Sequence, residues 1–246
     1  KFVFSIRYLF AVFFVAILLF FLIPHLFDYK NKVKVIDDYL FKAYGLKVNE
    51  IQTIEYQPFP FPRLNLINFK GNFLSKGVDI KIENLILYPS LKSIYSFNNY
   101  QVKKIILNKS EIEIETNQIK KLIEKFISLK KKLFIKNLVL KVQHNKINLL
   151  DLENINFKNY GFKKRKVDGE IFNREFKIKF SKDYKNINFK LLNTGISGEL
   201  NFDEKLENLI KTGSFQSKIL ASSLKLNFIY DGKSIEFDNL FFRNKK

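Results

Sequence analysis

The chain has 246 residues, with 43 Lys and Arg against 24 Asp and Glu, 28 Phe, and no Cys, Met or Trp. That length holds a membrane anchor plus one large or two small β domains. The missing Cys excludes disulfides, thiol nucleophiles and Cys-ligated zinc, and two histidines cannot build a metal cluster. The net charge of +19 suggests nucleic acid, but the Lys residues are spread over alternate positions, as on a solvated face. Heavy use of Phe, Lys, Asn and Ile also fits an AT-rich genome. The local clusters Lys130-Lys131-Lys132 and Lys163-Lys164-Arg165-Lys166 read as solvated loops first, anionic-lipid contacts second and nucleic-acid contacts third.

Tyr8 to Phe27 is uncharged and apolar. Its 20 positions span about 30 Å as a helix, the thickness of a bilayer's hydrocarbon core. Lys1 and Arg7 would serve as the basic start of a signal peptide, but no Ala-x-Ala follows the apolar run. Residues 1–28 therefore read as an uncleaved anchor. No later stretch has 18 uncharged apolar residues in a row, so the chain is expected to cross a membrane once. Lys1 and Arg7 on one side face Lys30, Lys32 and Lys34 on the other, so charge does not set the orientation.

Val33 to Tyr44 has helical spacing, with Val33, Ile36, Leu40 and Tyr44 on one face and Gly45 as the stop. Leu46–Ile51 and Thr53–Tyr56 read as extended. Pro58, Pro60 and Pro62 forbid a helix or a central strand and predict an edge or a polyproline-like crossover into a strand at Leu64–Phe69. Gly71 and Gly77 are expected to bracket a turn before Val78–Glu83. No proline follows Pro89. Thr116 and Asn117 offer caps for a helix over 118–131, with Ile119, Leu122, Ile123, Phe126 and Ile127 as its apolar stripe.

Strands resume at Leu133. Phe176, Ile178 and Phe180 share one face, as do Ile187, Phe189 and Leu191, and again Leu224, Leu226 and Phe228, joined by Tyr230. Asp203–Lys211 reads as a short helix, and Asp231-Gly232 as a hairpin returning through Ile235 and Phe237. Period-2 alternation of this length predicts an antiparallel sheet with one apolar and one polar face. Alternation alone favours a sheet that closes on itself as a sandwich or barrel; the other outcome is an open sheet whose apolar face stays available to acyl chains. A weak echo recurs at 103–108, 135–140 and 236–242, each with a polar step before a hydrophobic pair. It is too degenerate to define a repeat.

Chemistry is scarce. His25 and His144 are separate and read as structural. Gly232-Lys233-Ser234 imitates a phosphate-binding loop, but Asn227 stands where the first glycine belongs. Asp37-Asp38 point about 100° apart on a helix and form no dyad. Asn108-Lys109-Ser110 fits a glycosylation sequon that is common by chance. The residues point to no enzyme and no cofactor.

The order of the N-terminal half resembles the AsmA family of bacterial envelope proteins. An anchor leads into a short helix ending Tyr44-Gly45-Leu46-Lys47-Val48, then into the proline-aromatic segment Tyr56 to Phe69. Ile82 to Leu91 and Val102 to Ile114 continue the likeness, and residues 190–242 follow it more loosely. Tyr44 and Leu46 depart from the Thr and Arg common in the family, and the chain is shorter than typical members. The resemblance implies a mainly β fold: a transmembrane helix, then a large curled antiparallel sheet forming an open trough (residues 29–246), with one or two short amphipathic helices. It also implies an inner-membrane anchor, a periplasmic domain and a lipid-handling role related to chorein-type bridges, serving outer-membrane lipid homeostasis or assembly. The candidate lipid-facing residues are Phe176, Ile178, Phe180, Ile187, Phe189, Leu191, Leu224, Leu226 and Phe228. Expected partners are phospholipid or another envelope lipid, the inner membrane and an envelope protein, with no nucleic acid. The alternative is a membrane-tethered β-domain acting as an interaction scaffold through an exposed edge strand.

Overall fold

A computed structural model describes residues 2–73, 78–162, 164–203, 211–231 and 234–244; the side chains of 2–6, 120, 123, 126 and 127 lie outside that description. The chain is mainly β. Among the described residues four α-helices, α1 (Phe2–Leu22), α2 (Val33–Tyr44), α3 (Leu91–Tyr95) and α4 (Ile119–Ser128), accompany fourteen strands. These are β1 (Leu46–Glu50), β2 (Thr53–Gln57), β3 (Arg63–Phe73), β4 (Val78–Pro89), β5 (Val102–Glu115), β6 (Lys132–His144), β7 (Ile147–Lys158), β8 (Lys166–Ile171), β9 (Arg174–Phe180), β10 (Asn186–Leu191), β11 (Ile196–Phe202), β12 (Lys211–Ile219), β13 (Ser222–Tyr230) and β14 (Ile235–Asn244). The strands follow one another in sheet order from β3 to β14, with β1 and β2 both on β3 and the last strand unpaired to the first. The sheet is open. It is neither the sandwich nor the barrel that alternation alone favoured.

Two compact units divide the chain: Lys1–Phe134 with Lys141–Leu149, and Ile135–Leu140 with Leu150–Lys246. In the first, the sheet has a helical cover. Leu64, Leu66 and Phe69 of β3, Ile80, Ile82, Leu85 and Leu87 of β4, and Ile105 and Ile112 of β5 are all buried. Helix α2 contributes Ile36, Leu40 and Tyr44, each at most 1% exposed, from one face at the spacing its sequence predicts. Tyr39 donates its hydroxyl to the Val102 carbonyl at 3.0 Å and Tyr44 donates to that of Lys132 at 3.3 Å. Asp37 accepts the Val48 N–H at 2.7 Å and so joins α2 to β1. Gly45 ends α2 at φ 75°, a left-handed cap that glycine adopts without strain.

Several predictions of detail are corrected. Gly71 lies inside β3, not at a turn: a Cβ there would stand 2.2 Å from the Lys47 carbonyl oxygen, so glycine lets β1 approach. Gly77 falls outside the described residues. Helix α4 is shorter than 118–131 and has no side-chain cap; Thr116 Oγ1 sits 3.0 Å from His144 Nδ1. Leu122 is buried, and the rest of the stripe's side chains, Ile119 apart, fall outside the described ones. Most of the helix expected at 203–211 is likewise outside the described residues, and Lys211 begins β12.

A left-handed backbone step recurs along the strands, and two of the three echo segments, 135–140 and 236–242, contain one. Asn68 in β3, Lys109 in β5, Asn137 in β6, Asn154 in β7 and Asn239 in β14 all have φ between 50° and 54°. Asn is the non-glycine residue that best tolerates this left-handed region. In β3 the step turns two successive residues outward before inward pointing resumes: Leu66 and Phe69 are buried with Ile67 and Asn68 between them. At Asn154 and Asn239 the step coincides with a register shift against the neighbouring strand, a β-bulge.

Candidate functional site: an uncovered apolar sheet face

The second unit is built from strands, and no helix is present among its described residues. Its register puts all nine predicted residues on one face. Phe176, Ile178 and Phe180 stand opposite Leu191, Phe189 and Ile187. The row then continues across the sheet: Ile187 pairs with Leu200, Leu200 with Phe215, and Phe215 with Leu226. Phe202 pairs with Gly213 and Gly213 with Phe228, where the two phenyl rings meet edge to face at 5.7 Å. The face therefore also contains Val167, Ile171, Ile196, Leu200, Phe202 and Phe215, none of which was singled out from sequence.

Two of the nine are buried and seven are partly exposed. The two exceptions have a local reason. Phe176 lies over Gly169, where a Cβ would come 3.0 Å from its ring, and Phe228 lies over Gly213, where it would come 2.9 Å away. An aromatic ring laid across a glycine of the next strand restores the packing that the missing side chain leaves out. Phe176 and Phe228 thus stabilise the sheet. Ile178, Phe180, Ile187, Phe189, Leu191, Leu224 and Leu226 are the part of the face left partly exposed.

The opposite face is polar. Lys177, Lys179, Lys190, Lys218 and Lys225, with Asn188, Gln216 and Glu199 between them, line a recess of about 890 Å³ that Phe189 and Leu224 also border. Glu199 accepts hydrogen bonds from Asn186 at 2.6 Å and Asn201 at 3.3 Å. None of the five lysines makes an ion pair among the described residues. The apolar face bears no comparable lysine row: Leu226, Phe215, Leu200 and Ile187 stand in line there. The apolar row and the lysine-bearing row are separated by one layer of backbone.

Among the described residues no group of three or more His, Asp or Glu could hold a metal ion. His25 Nδ1 lies 3.3 Å from the Tyr56 carbonyl and His144 beside Thr116. At the other end of the chain, Arg7–Leu26 is long and apolar enough to cross a membrane. No family model matches the chain, and neither a curated protein nor a solved structure matches it.

Proposed function

We propose that this chain is a lipid-handling protein of the bacterial envelope, held by α1 in the inner membrane with its β-domain in the periplasm. In this reading the apolar face of the second unit shields acyl chains from water while headgroups remain solvated at its margin. One observation carries it: a contiguous apolar face runs from β8 to β13 with no covering layer among the described residues. Each methylene laid on such a face is stabilised by about 0.8 kcal/mol relative to water, so holding a chain requires neither nucleotide nor metal. The likeness of the N-terminal order to AsmA proteins supports the same reading, including a role in outer-membrane lipid homeostasis or assembly.

The test is photo-crosslinking in the full chain, in native membranes. A benzophenone side chain placed at Ile178 or Leu226 should give lipid adducts by mass spectrometry, whereas the same group at Lys177 or Lys225 should give none. Equal labelling of both faces, or none on either, overturns the proposal.

A second reading rests on β14. Every residue of this last strand is exposed, including Phe237, Leu240, Phe241 and Phe242. An exposed edge with large apolar side chains suits strand addition by an envelope-protein partner. Protein adducts from a benzophenone at Phe241, together with none at Ile178, would favour it.

A further inference from the structure

The end of α1 is clamped to the folded domain by aromatic side chains. Tyr95 of α3 donates its hydroxyl to the Phe20 carbonyl, and its ring lies 4.9 Å from that of Phe20. Phe59 lies 6.4 Å from Phe21. Just past the helix, Tyr29 stacks on Tyr56 at 6.0 Å and donates to the Pro24 carbonyl at 2.8 Å, while Phe27 meets Tyr95 edge on. Burial pushes the Tyr56 phenol up to about 12 and also raises that of Tyr29, so the clamp is uncharged at neutral pH.

The depth of these contacts matters. The apolar window ends at Leu26, and Phe20 and Phe21 precede that end by about 8 Å along a helix axis. A bilayer crossed by this window reaches the level at which Tyr95 and Phe59 touch the helix. Around those contacts the domain exposes Phe59 by 52%, Phe61 by 68% and Leu91 by 52%. Pro58, Pro60 and Pro62 remove three N–H donors from the same loop, which lowers the cost of taking its backbone out of water. Exposed Lys30, Lys32 and Lys34 follow the span directly, and exposed Lys92 is beside Leu91, placed to meet anionic headgroups.

We infer that the loop between β2 and β3 and the start of α3 are embedded in the bilayer interface beside α1. The first unit then sits in the membrane surface, with no free tether between it and the helix. This rests on the reading that α1 spans a membrane, and it adds a second, non-helical membrane contact that uses Phe59, Phe61 and Leu91.

The chain has no Trp, so single Trp substitutions report position directly. The full chain would be reconstituted in phosphatidylcholine–phosphatidylglycerol vesicles whose acyl chains carry bromine near the headgroup or near the bilayer centre. Phe61→Trp should be quenched by shallow bromine by roughly twofold or more over deep bromine, and little by aqueous iodide. Phe14→Trp, within the span, should respond to deep bromine. Phe162→Trp, fully exposed in the second unit, should respond to iodide alone. If Phe61→Trp behaves like Phe162→Trp while Phe14→Trp is quenched deep in the bilayer, the interfacial loop is overturned and the anchor stands. If Phe14→Trp escapes bromine, the anchor reading falls and the inference with it. Shielding of Phe61→Trp from both quenchers also overturns it and assigns the loop to protein contact.

Discussion

The two units use the same alternation and give their apolar faces different fates. In the first, β3, β4 and β5 bury Leu66, Leu85 and Ile105 completely, and α2 supplies Ile36 and Leu40, also fully buried. In the second, strands with the same period leave Ile187, Phe189, Leu224 and Leu226 partly exposed, while Phe176 and Phe228, each lying over a glycine, are buried. Period 2 says which side chains share a face; it does not say whether anything lies on that face. A cover requires a second element, and in the first unit that element is an amphipathic helix of twelve residues.

The comparison is broken most directly by deletion on each face. Leu66→Ala should destabilise the first unit by about 2–5 kcal/mol, whereas Leu226→Ala should cost about 1 kcal/mol or less because its site already meets solvent. Hydrogen exchange on the full chain reads β3 and β13 separately, and equal losses would mean that the second face is covered after all. Next in size is Gly213→Ala. The new Cβ would meet the Asn201 carbonyl oxygen at 2.0 Å and the Phe228 ring at 2.9 Å, so a loss of about 1–3 kcal/mol is expected at β11–β13. Gly198→Ala, whose nearest contact is 3.3 Å, should cost less; the reverse order would remove the ring-over-glycine account of Phe228.

A smaller effect of opposite sign is expected at Tyr100. Its hydroxyl is buried with no hydrogen-bond partner among the described residues, so Tyr100→Phe should stabilise the first unit by about 1 kcal/mol, measured as a shift in its thermal midpoint. Smallest is the pair Glu111–Lys141, at 2.7 Å and one-third exposed. The hydrogen bond from Lys141 holds the Glu111 carboxyl below the ordinary range. Its contribution, about 1 kcal/mol or less after screening, is present above the unfolded carboxyl value and disappears as pH falls through the lowered folded one. Lys141→Gln should flatten that acidic slope, and an unchanged slope would assign it to other carboxylates.

The sequence made α2, its Gly45 stop and the nine-residue apolar face legible, because a 3.6 or 2.0 period leaves a direct trace in hydropathy. It did not reveal β8 or β11, where Gly169 and Gly198 interrupt the apolar positions that rings from other strands fill. Helix α3, at five residues, is too short for any period; the trace it does leave is Ser90, which caps it by accepting the Ser93 N–H. Thr116 reads as a cap in the sequence, yet its hydroxyl faces His144, a contact 28 residues away that no local window contains. The open sheet was underdetermined for a similar reason, since closure depends on how strands curve and not on which residues alternate.

The left-handed steps have a consequence for alignment. A strand with strict two-residue alternation can slide along its neighbour by two positions without misplacing a single side chain. In the first unit the irregularity at Asn68 lies opposite Glu83, and Glu83 lies opposite Lys109, where a 3.2 Å hydrogen bond joins the last two side chains. A strand displaced by two would keep its faces and still put its step out of phase with the next strand, interrupting the hydrogen-bond ladder at two places. The steps act as notches on a tally stick: they make one of several chemically equivalent alignments recognisable to the folding chain.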